Sequence, residues 1–320
     1  MRCGVRVIDL FSGCGGLSLG FMQAGYTLCA AFENWTAALR VYRQNFSHPA
    51  IACDLSDWRA YTNMLQHIAP DIIIGGPPCQ DFSSAGKRDE QQGRSHLTTT
   101  FAEIVVYLTP EWFVMENVAR ATASLAWQNA RRLLRQAGYG LTEIILDASL
   151  CGVPQYRKRL FVIGHYGGVD NELLVLLQKG LAQKPLTLRD YFGTSLDIEH
   201  YYRHPRSYQR RAIFSIDEPS PTIRGVNRPI PPNYTSHPGD TAPISSNIRP
   251  LTTRERSLIQ TFPSDFLFTG TKSDVEQMIG NAVPVQQAQY VANAIMQFTH
   301  SHAVFTEDLV WGKQLMLFNE

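Results

Sequence analysis

No apolar run in this chain approaches the roughly 20 residues that a membrane-spanning helix requires. No membrane-spanning helix is expected within it. The opening Met1-Arg2-Cys3-Gly4-Val5-Arg6 shows no signal-peptide pattern. Six cysteines (3, 14, 29, 53, 79 and 151) are scattered without Cys-x-x-Cys or Cys/His zinc spacing. That argues against a disulfide framework and a structural metal, and for a reducing cytoplasm. Internal repeats and low-complexity tracts are also missing, which removes solenoid and fibrous classes. Net charge is only +1, so overall charge does not point to nucleic acid.

The distribution of charge is more informative. Between His200 and Gln260 there are nine arginines, no lysine and four acidic residues, whereas the rest of the chain holds more acids than bases. Arginine in place of lysine suits bidentate contacts to phosphate or guanine. A solvated surface with ordinary ion pairs would read the same way by charge alone.

A chain of 320 residues can bury one large core and a smaller one. Strand-like runs at Arg6–Phe11, Thr27–Phe32, Asp71–Ile74, Trp112–Glu116, Leu141–Leu146 and Leu160–Gly164 are separated by helical periodicity at Leu17–Ala24, Thr36–Asn45, Phe101–Leu108 and Trp127–Gln136. This alternation predicts an α/β fold with a doubly wound, mostly parallel sheet and helices on both faces. Ligands in such sheets sit beyond the carboxyl ends of the strands. The texture changes after Lys184 to a loop-rich stretch dense in Pro, Tyr and Arg. Helical periodicity resumes at Thr253–Thr261 and Val285–Gln297, and the last, apolar on one face, should dock back on the first domain. The expected division is 1–187 for a catalytic and cofactor-binding domain, 188–279 for a smaller recognition module and hinge, and 280–320 for a returning segment.

Four constellations carry chemistry. Asp9-Leu10-Phe11-Ser12-Gly13-Cys14-Gly15-Gly16 closes the first strand with glycines that let backbone approach a ligand. Ser18 stands where the dinucleotide fingerprint needs its third glycine, which disfavours a nicotinamide oxidoreductase. Glu33 ends the second strand, where an acid can bind ribose hydroxyls. Gly75-Gly76-Pro77-Pro78-Cys79 follows a buried strand, so a stiffened loop presents a thiol at the ligand end of the sheet. Glu116-Asn117-Val118 puts a carboxylate beside the same cleft, where burial favours its protonated form; read alone, it could equally be a structural Glu. Gln155-Tyr156-Arg157-Lys158-Arg159 alternates arginines that could clamp a base oxygen and a phosphate, or serve as surface charge.

Together and in this order, these motifs resemble the cytosine-5 DNA methyltransferase family of bacterial restriction–modification type. The similarity extends through DLFSGCGGLSLGF (9–21), Glu33-Asn34, GGPPCQDFS (75–83), Glu116-Asn117-Val118, GVPQYRKRLFVIG (152–164), RPLTTRERSLIQTFPSDF (249–266) and GNAVP (280–284). The resemblance implies the fold of class I S-adenosylmethionine-dependent methyltransferases, with S-adenosylmethionine as methyl donor, S-adenosylhomocysteine as product and no metal. It implies that Cys79 is the nucleophile, that Glu116 acts at ring nitrogen 3 of cytosine, that Arg159 holds the base oxygen, and that Arg157 supports the pocket or backbone. Phe11, Gly13, Cys14, Gly15, Gly16, Glu33, Asn34, Asp54, Pro77 and Asn281 fall where the family contacts the cofactor. The partner implied is double-stranded DNA, met by a monomer in the cytoplasm at the nucleoid, with room for a separately acting cognate restriction endonuclease. A tRNA cytosine-5 methyltransferase and a catalytically silent DNA-binding relative are the alternatives.

For DNA contacts the candidates are Arg210, Arg211, Arg224 and Arg228. The last two stand four apart in Pro219-Ser220-Pro221-Thr222-Ile223-Arg224-Gly225-Val226-Asn227-Arg228-Pro229. A stiff loop that displays arginines suits the major groove, and at least one of this pair is expected to read a base.

Overall fold

The computed structural model describes residues 4–78, 96–207, 209–245 and 247–317, with side chains as far as Ser301. Five strands, β1 (Arg6–Leu10), β2 (Thr27–Glu33), β3 (Ala50–Ala52), β4 (Ile72–Gly75) and β5 (Trp112–Val118), pair in parallel. After β6 (Tyr139–Asp147), a two-residue β7 (Gln155–Tyr156) leads into β8 (Lys158–Tyr166). β8 runs antiparallel between β5 and β6, giving a seven-stranded sheet in the order β3-β2-β1-β4-β5-β8-β6. The expected doubly wound sheet is therefore present.

Its helices follow from the side-chain period of two in its strands. Ile8, Ile73, Phe113 and Met115 face one side, under α4 (His96–Leu108) and α5 (Leu125–Gln136). Val7, Ile72, Ile74, Trp112 and Val114 face the other, under α1 (Gly16–Gln23) and α10 (Val285–Leu317). Both faces are apolar, so the strands read as continuous hydrophobic runs. Helix α10 packs on α1, with Ala288 set where a Cβ on Gly20 would stand. α2 (Thr36–Asn45) packs on β2 and β3, α3 (Thr62–Ile68) adds Leu65 to the cluster under α4, and α6 (Leu174–Lys179) follows β8.

A separate apolar cluster gathers Leu188, Tyr201, Phe214, Ile223, Leu251, Ile259, Val275 and Ile279. It is built from α7 (Leu188–Phe192), the antiparallel pair β9 (His200–Tyr202) and β10 (Ile213–Ser215), α8 (Thr253–Ile259) and α9 (Lys272–Asn281). β11 (Ser220–Pro221) pairs with β7, tying this module to the larger sheet. Thr187 and Thr252 begin α7 and α8 with reciprocal capping boxes to Asp190 and Glu255. α9 was not legible in the sequence because a buried charge, Glu276, interrupts its apolar face of Val275, Met278 and Ile279.

Candidate active site

Because β1 to β5 are parallel, their carboxyl ends share one edge. Phe11 follows β1, Glu33 ends β2, Asn34 follows it exposed, Asp54 comes two residues after β3, and Pro77 two residues after β4. Glu33 organises this edge. Its Oε2 accepts from the Gly13 N–H at 2.7 Å and its Oε1 from the Trp35 N–H at 2.7 Å. Burial pushes its carboxyl above the usual range, while these backbone donors oppose the shift. Asp54 caps the turn after β3, with Oδ1 accepting from Ser56 N–H at 2.9 Å.

The glycine loop divides into an open and a closed part. Gly13 has φ 55°, and a Cβ there would meet nothing within 4 Å. A Cβ on Gly16 would lie 2.2 Å from the Val283 carbonyl oxygen, and one on Gly15 would lie 2.4 Å from the Phe46 ring. Cys14 also turns inward: its buried Sγ donates to the Met278 carbonyl at 3.7 Å, and burial pushes its thiol up to about 12. Of the expected cofactor residues, Gly13 therefore borders open space, whereas Cys14, Gly15 and Gly16 hold the loop to its neighbours. Asn281, exposed, ends α9 next to the Ala282-Val283 segment that packs on Gly16.

Glu116 lies within β5, only 8% exposed. Strand register sets Arg159 opposite Val118 and therefore diagonal to Glu116 on the same face. Its Nε stands 2.9 Å from Glu116 Oε1. The other oxygen faces the Gly76 turn, where a Cβ would lie 3.4 Å from Oε2. Burial pushes the Glu116 carboxyl above its usual range, opposed by the positive charges of Arg159 and Arg157. The neighbouring Asn117 donates from Nδ2 to the Pro77 carbonyl at 3.3 Å. Chain direction carries the backbone past Pro78 towards Cys79, which lies outside the described residues.

The two arginines of the Gln155–Arg159 motif part company. Arg157, 1% exposed, precedes β8 and donates to the carbonyls of Ile223 (3.1 Å), Gly280 (3.1 Å) and Ala282 (3.0 Å). These bonds join the start of β8 to the segment at Ile223 and to the chain that follows α9, whereas Arg159 meets Glu116. Gln155, which heads the same motif but carries no expected role of its own, and Gln260 complete this junction. Gln155 Nε2 donates to Gln260 Oε1 at 2.7 Å and its Oε1 accepts from Ile223 N–H at 2.8 Å, while Gln260 donates to the Ile279 carbonyl at 2.6 Å. A glutamine that bridges three segments leaves no periodic or compositional signal.

The expected DNA-facing arginines also differ. Arg211 is ion-paired with Glu218 at 2.5 Å, and half-buried Arg224 donates to the His204 carbonyl. Arg210 and Arg228 are exposed, and their side chains make no hydrogen bond or ion pair among the described residues.

The sequence model of C-5 cytosine-specific DNA methylases matches residues 5–297. The chain belongs to this family. It is 58% identical to the type II methyltransferase M.HgiDI of Herpetosiphon aurantiacus, over 92% of this chain and 95% of that protein. To the type II methyltransferase M.HindV of Haemophilus influenzae it is 56% identical, over 92% and 97%. In fold it is similar to the S. pombe Dnmt2 methyltransferase (TM-score 0.66, 18% identity, 92% of this chain and 99% of that one) and the Entamoeba histolytica methyltransferase EhMeth (0.65, 18%, 94% and 99%). This DNA cytosine methyltransferase thus has the class I S-adenosylmethionine-dependent methyltransferase fold. Among its described residues no helix is long and apolar enough to cross a membrane, and no group of three His, Cys, Asp or Glu is placed to hold a metal ion.

Proposed function

We propose that this methyltransferase moves a methyl group from S-adenosylmethionine to carbon 5 of a cytosine flipped out of double-stranded DNA, through a transient bond to Cys79. The observation that carries this reading is the buried Glu116–Arg159 pair at the carboxyl edge of the sheet, one strand from the loop that leads to Cys79. Cytosine is poorly reactive at carbon 5. A thiolate adding to carbon 6 converts it to an electron-rich centre, provided that charge does not accumulate on the ring. A carboxyl whose protonated form is favoured by burial can donate to ring nitrogen 3. Arg159 then offers remaining N–H donors to the base oxygen. After methylation, loss of the carbon 5 proton restores the double bond and expels the Cys79 thiolate. A base stacked in a duplex is shielded at these atoms, so it must leave the helix.

S-adenosylmethionine, when bound, supplies a methyl group on a positively charged sulfur. The edge described above fits a nucleoside carrier of this kind: Gly13 leaves room that a side chain would fill, and Glu33 has lone pairs left to accept ribose hydroxyls. Phe11, Asn34, Asp54, Pro77 and Asn281 would border it. Residues 188–279 act as the target-recognition module and hinge, with 280–320 returning to the catalytic domain at 1–187. DNA carrying 5-fluorocytosine tests the covalent step, because fluorine cannot leave as a proton does. A denaturation-resistant adduct is expected with the protein, cofactor and fluorinated duplex; its absence, with ordinary duplex still methylated, rules the covalent route out.

A further inference from the structure

A small cavity of about 20 Å³ lies in the recognition module, walled among others by Tyr201, Arg203, His204, Arg224 and Arg256. It can take a single water-sized atom. Three guanidiniums line it, yet among the described residues the carboxylate ion-paired to any of them is Glu276 alone, on Arg256. Arg203 donates to the Thr222 carbonyl at 2.9 Å, Arg224 to the His204 carbonyl, and Arg256 also to the Arg224 carbonyl. Carbonyls satisfy donors but neutralise no charge. The buried Nε of Arg224 has no hydrogen-bond partner. Burial, and after it the positive charges of Arg224 and of exposed Arg206 close by, pushes Arg203 down to about 10; burial and then Arg206 lower Arg224 as well. Half-buried positive charge without a counter-ion is costly unless an anion completes the site.

We infer that this cavity seats a non-bridging oxygen of a DNA backbone phosphate, held by Arg203 and Arg224 with Arg206 at its rim. The inference rests on the DNA reading above. It makes Arg224 a positioning residue for the duplex and leaves Arg228 to the groove. The seat is fixed to the active site rather than carried on a free loop. Ile223, next to Arg224, accepts from Arg157 and donates to Gln155. A Cβ on Gly280 would lie 2.3 Å from the Arg224 carbonyl carbon, so α9 presses on the same backbone. Arg157 is two residues from Arg159, the partner of Glu116. A phosphate held here therefore registers the duplex against the carboxyl that acts on the base.

The test compares full-length wild type, Arg206→Gln and Arg224→Gln on two duplexes, one of random sequence and one carrying the site found by sequencing methylated DNA from expressing cells. Affinity is measured over a range of salt. Each variant should lose the same factor on both duplexes, and its log–log salt slope should be shallower by about one. Unchanged slopes in Arg206→Gln and Arg224→Gln would overturn the seat, as would losses confined to the methylated site. Arg206 is exposed, so its variant decides the matter even if Arg224→Gln fails to fold. A wild-type protein that methylates tRNA but neither binds nor methylates duplex DNA would instead overturn the DNA reading, and the seat with it.

Discussion

The side-chain amide of Asn117 donates to the carbonyl of Pro77 across 3.3 Å of buried space. This bond fastens the loop leaving β4 to the carboxyl end of β5, so the loop that leads to Cys79 is held against the strand that carries Glu116. Asn117→Ala should leave the fold and DNA affinity largely intact while slowing single-turnover methylation by roughly 10-fold to 10²-fold, the scale on which misplaced reacting groups lose rate. A variant with wild-type turnover would show that the prolines hold the loop without help.

Cys79→Ala should abolish methyl transfer while S-adenosylmethionine binding, measured by calorimetry, stays near that of the wild type. Retention of as much as about a tenth of the turnover would contradict a covalent mechanism, since losing a nucleophile removes the path itself.

Glu116→Gln keeps the shape of the side chain but loses the acid that the proposed mechanism sets against the ring nitrogen. Single-turnover rates should fall by roughly 10²–10⁴-fold, the span typical of a lost general acid, with DNA affinity little changed. A collapse of affinity without a change in rate would assign Glu116 a structural role.

Asp9 is fully buried beneath the glycine loop, where Ser18 donates to its Oδ2 at 2.5 Å, Tyr42 donates to Ser18 at 2.7 Å, and His48 Nε2 lies 2.7 Å from the Tyr42 hydroxyl. Burial pushes the Asp9 carboxyl up to about 7, against the Ser18 hydrogen bond. A raised carboxyl stabilises the fold fully below its unfolded value of 3.8, and that contribution is lost as pH rises through about 7. Asp9→Asn removes the titration. Its melting temperature should exceed the wild-type value near pH 8, and the gap should close towards pH 4. A gap that is constant with pH would refute the assignment.

Gly13 and Gly16 should respond differently to alanine. At Gly16 the added methyl meets the Val283 carbonyl at 2.2 Å, and overpacking of this kind destabilises by about 1–3 kcal/mol or more. At Gly13 the methyl enters open space, with only the strain of a left-handed residue, about 1–2 kcal/mol. Denaturant unfolding should therefore show the larger loss in Gly16→Ala, and equilibrium binding of S-adenosylmethionine the larger loss in Gly13→Ala. The reverse order would place the cofactor elsewhere.

The sequence by itself determined the layered sheet, because strands buried on both faces must be apolar throughout and the helices between them must carry one apolar stripe. Runs such as Ile72-Ile73-Ile74 and Trp112-Phe113-Val114-Met115 announce this without any tertiary knowledge. It also determined that Glu33, Pro77 and Glu116 share an edge, since parallel strands end on the same side. Tertiary structure alone decided the partners. Arg157 and Arg159 look equivalent as alternate residues, yet β8 begins between them, and one turns to three carbonyls while the other turns to Glu116. Cys14 and Gly13 are neighbours in one motif, but close packing by Phe46, Met278 and Val283 sends the first inward and leaves the second facing open space. Gln155, Gln260 and the three arginines around the small cavity come from segments up to 105 residues apart. Long-range hydrogen bonds depend on where backbone carbonyls arrive in space, and local composition carries no record of that.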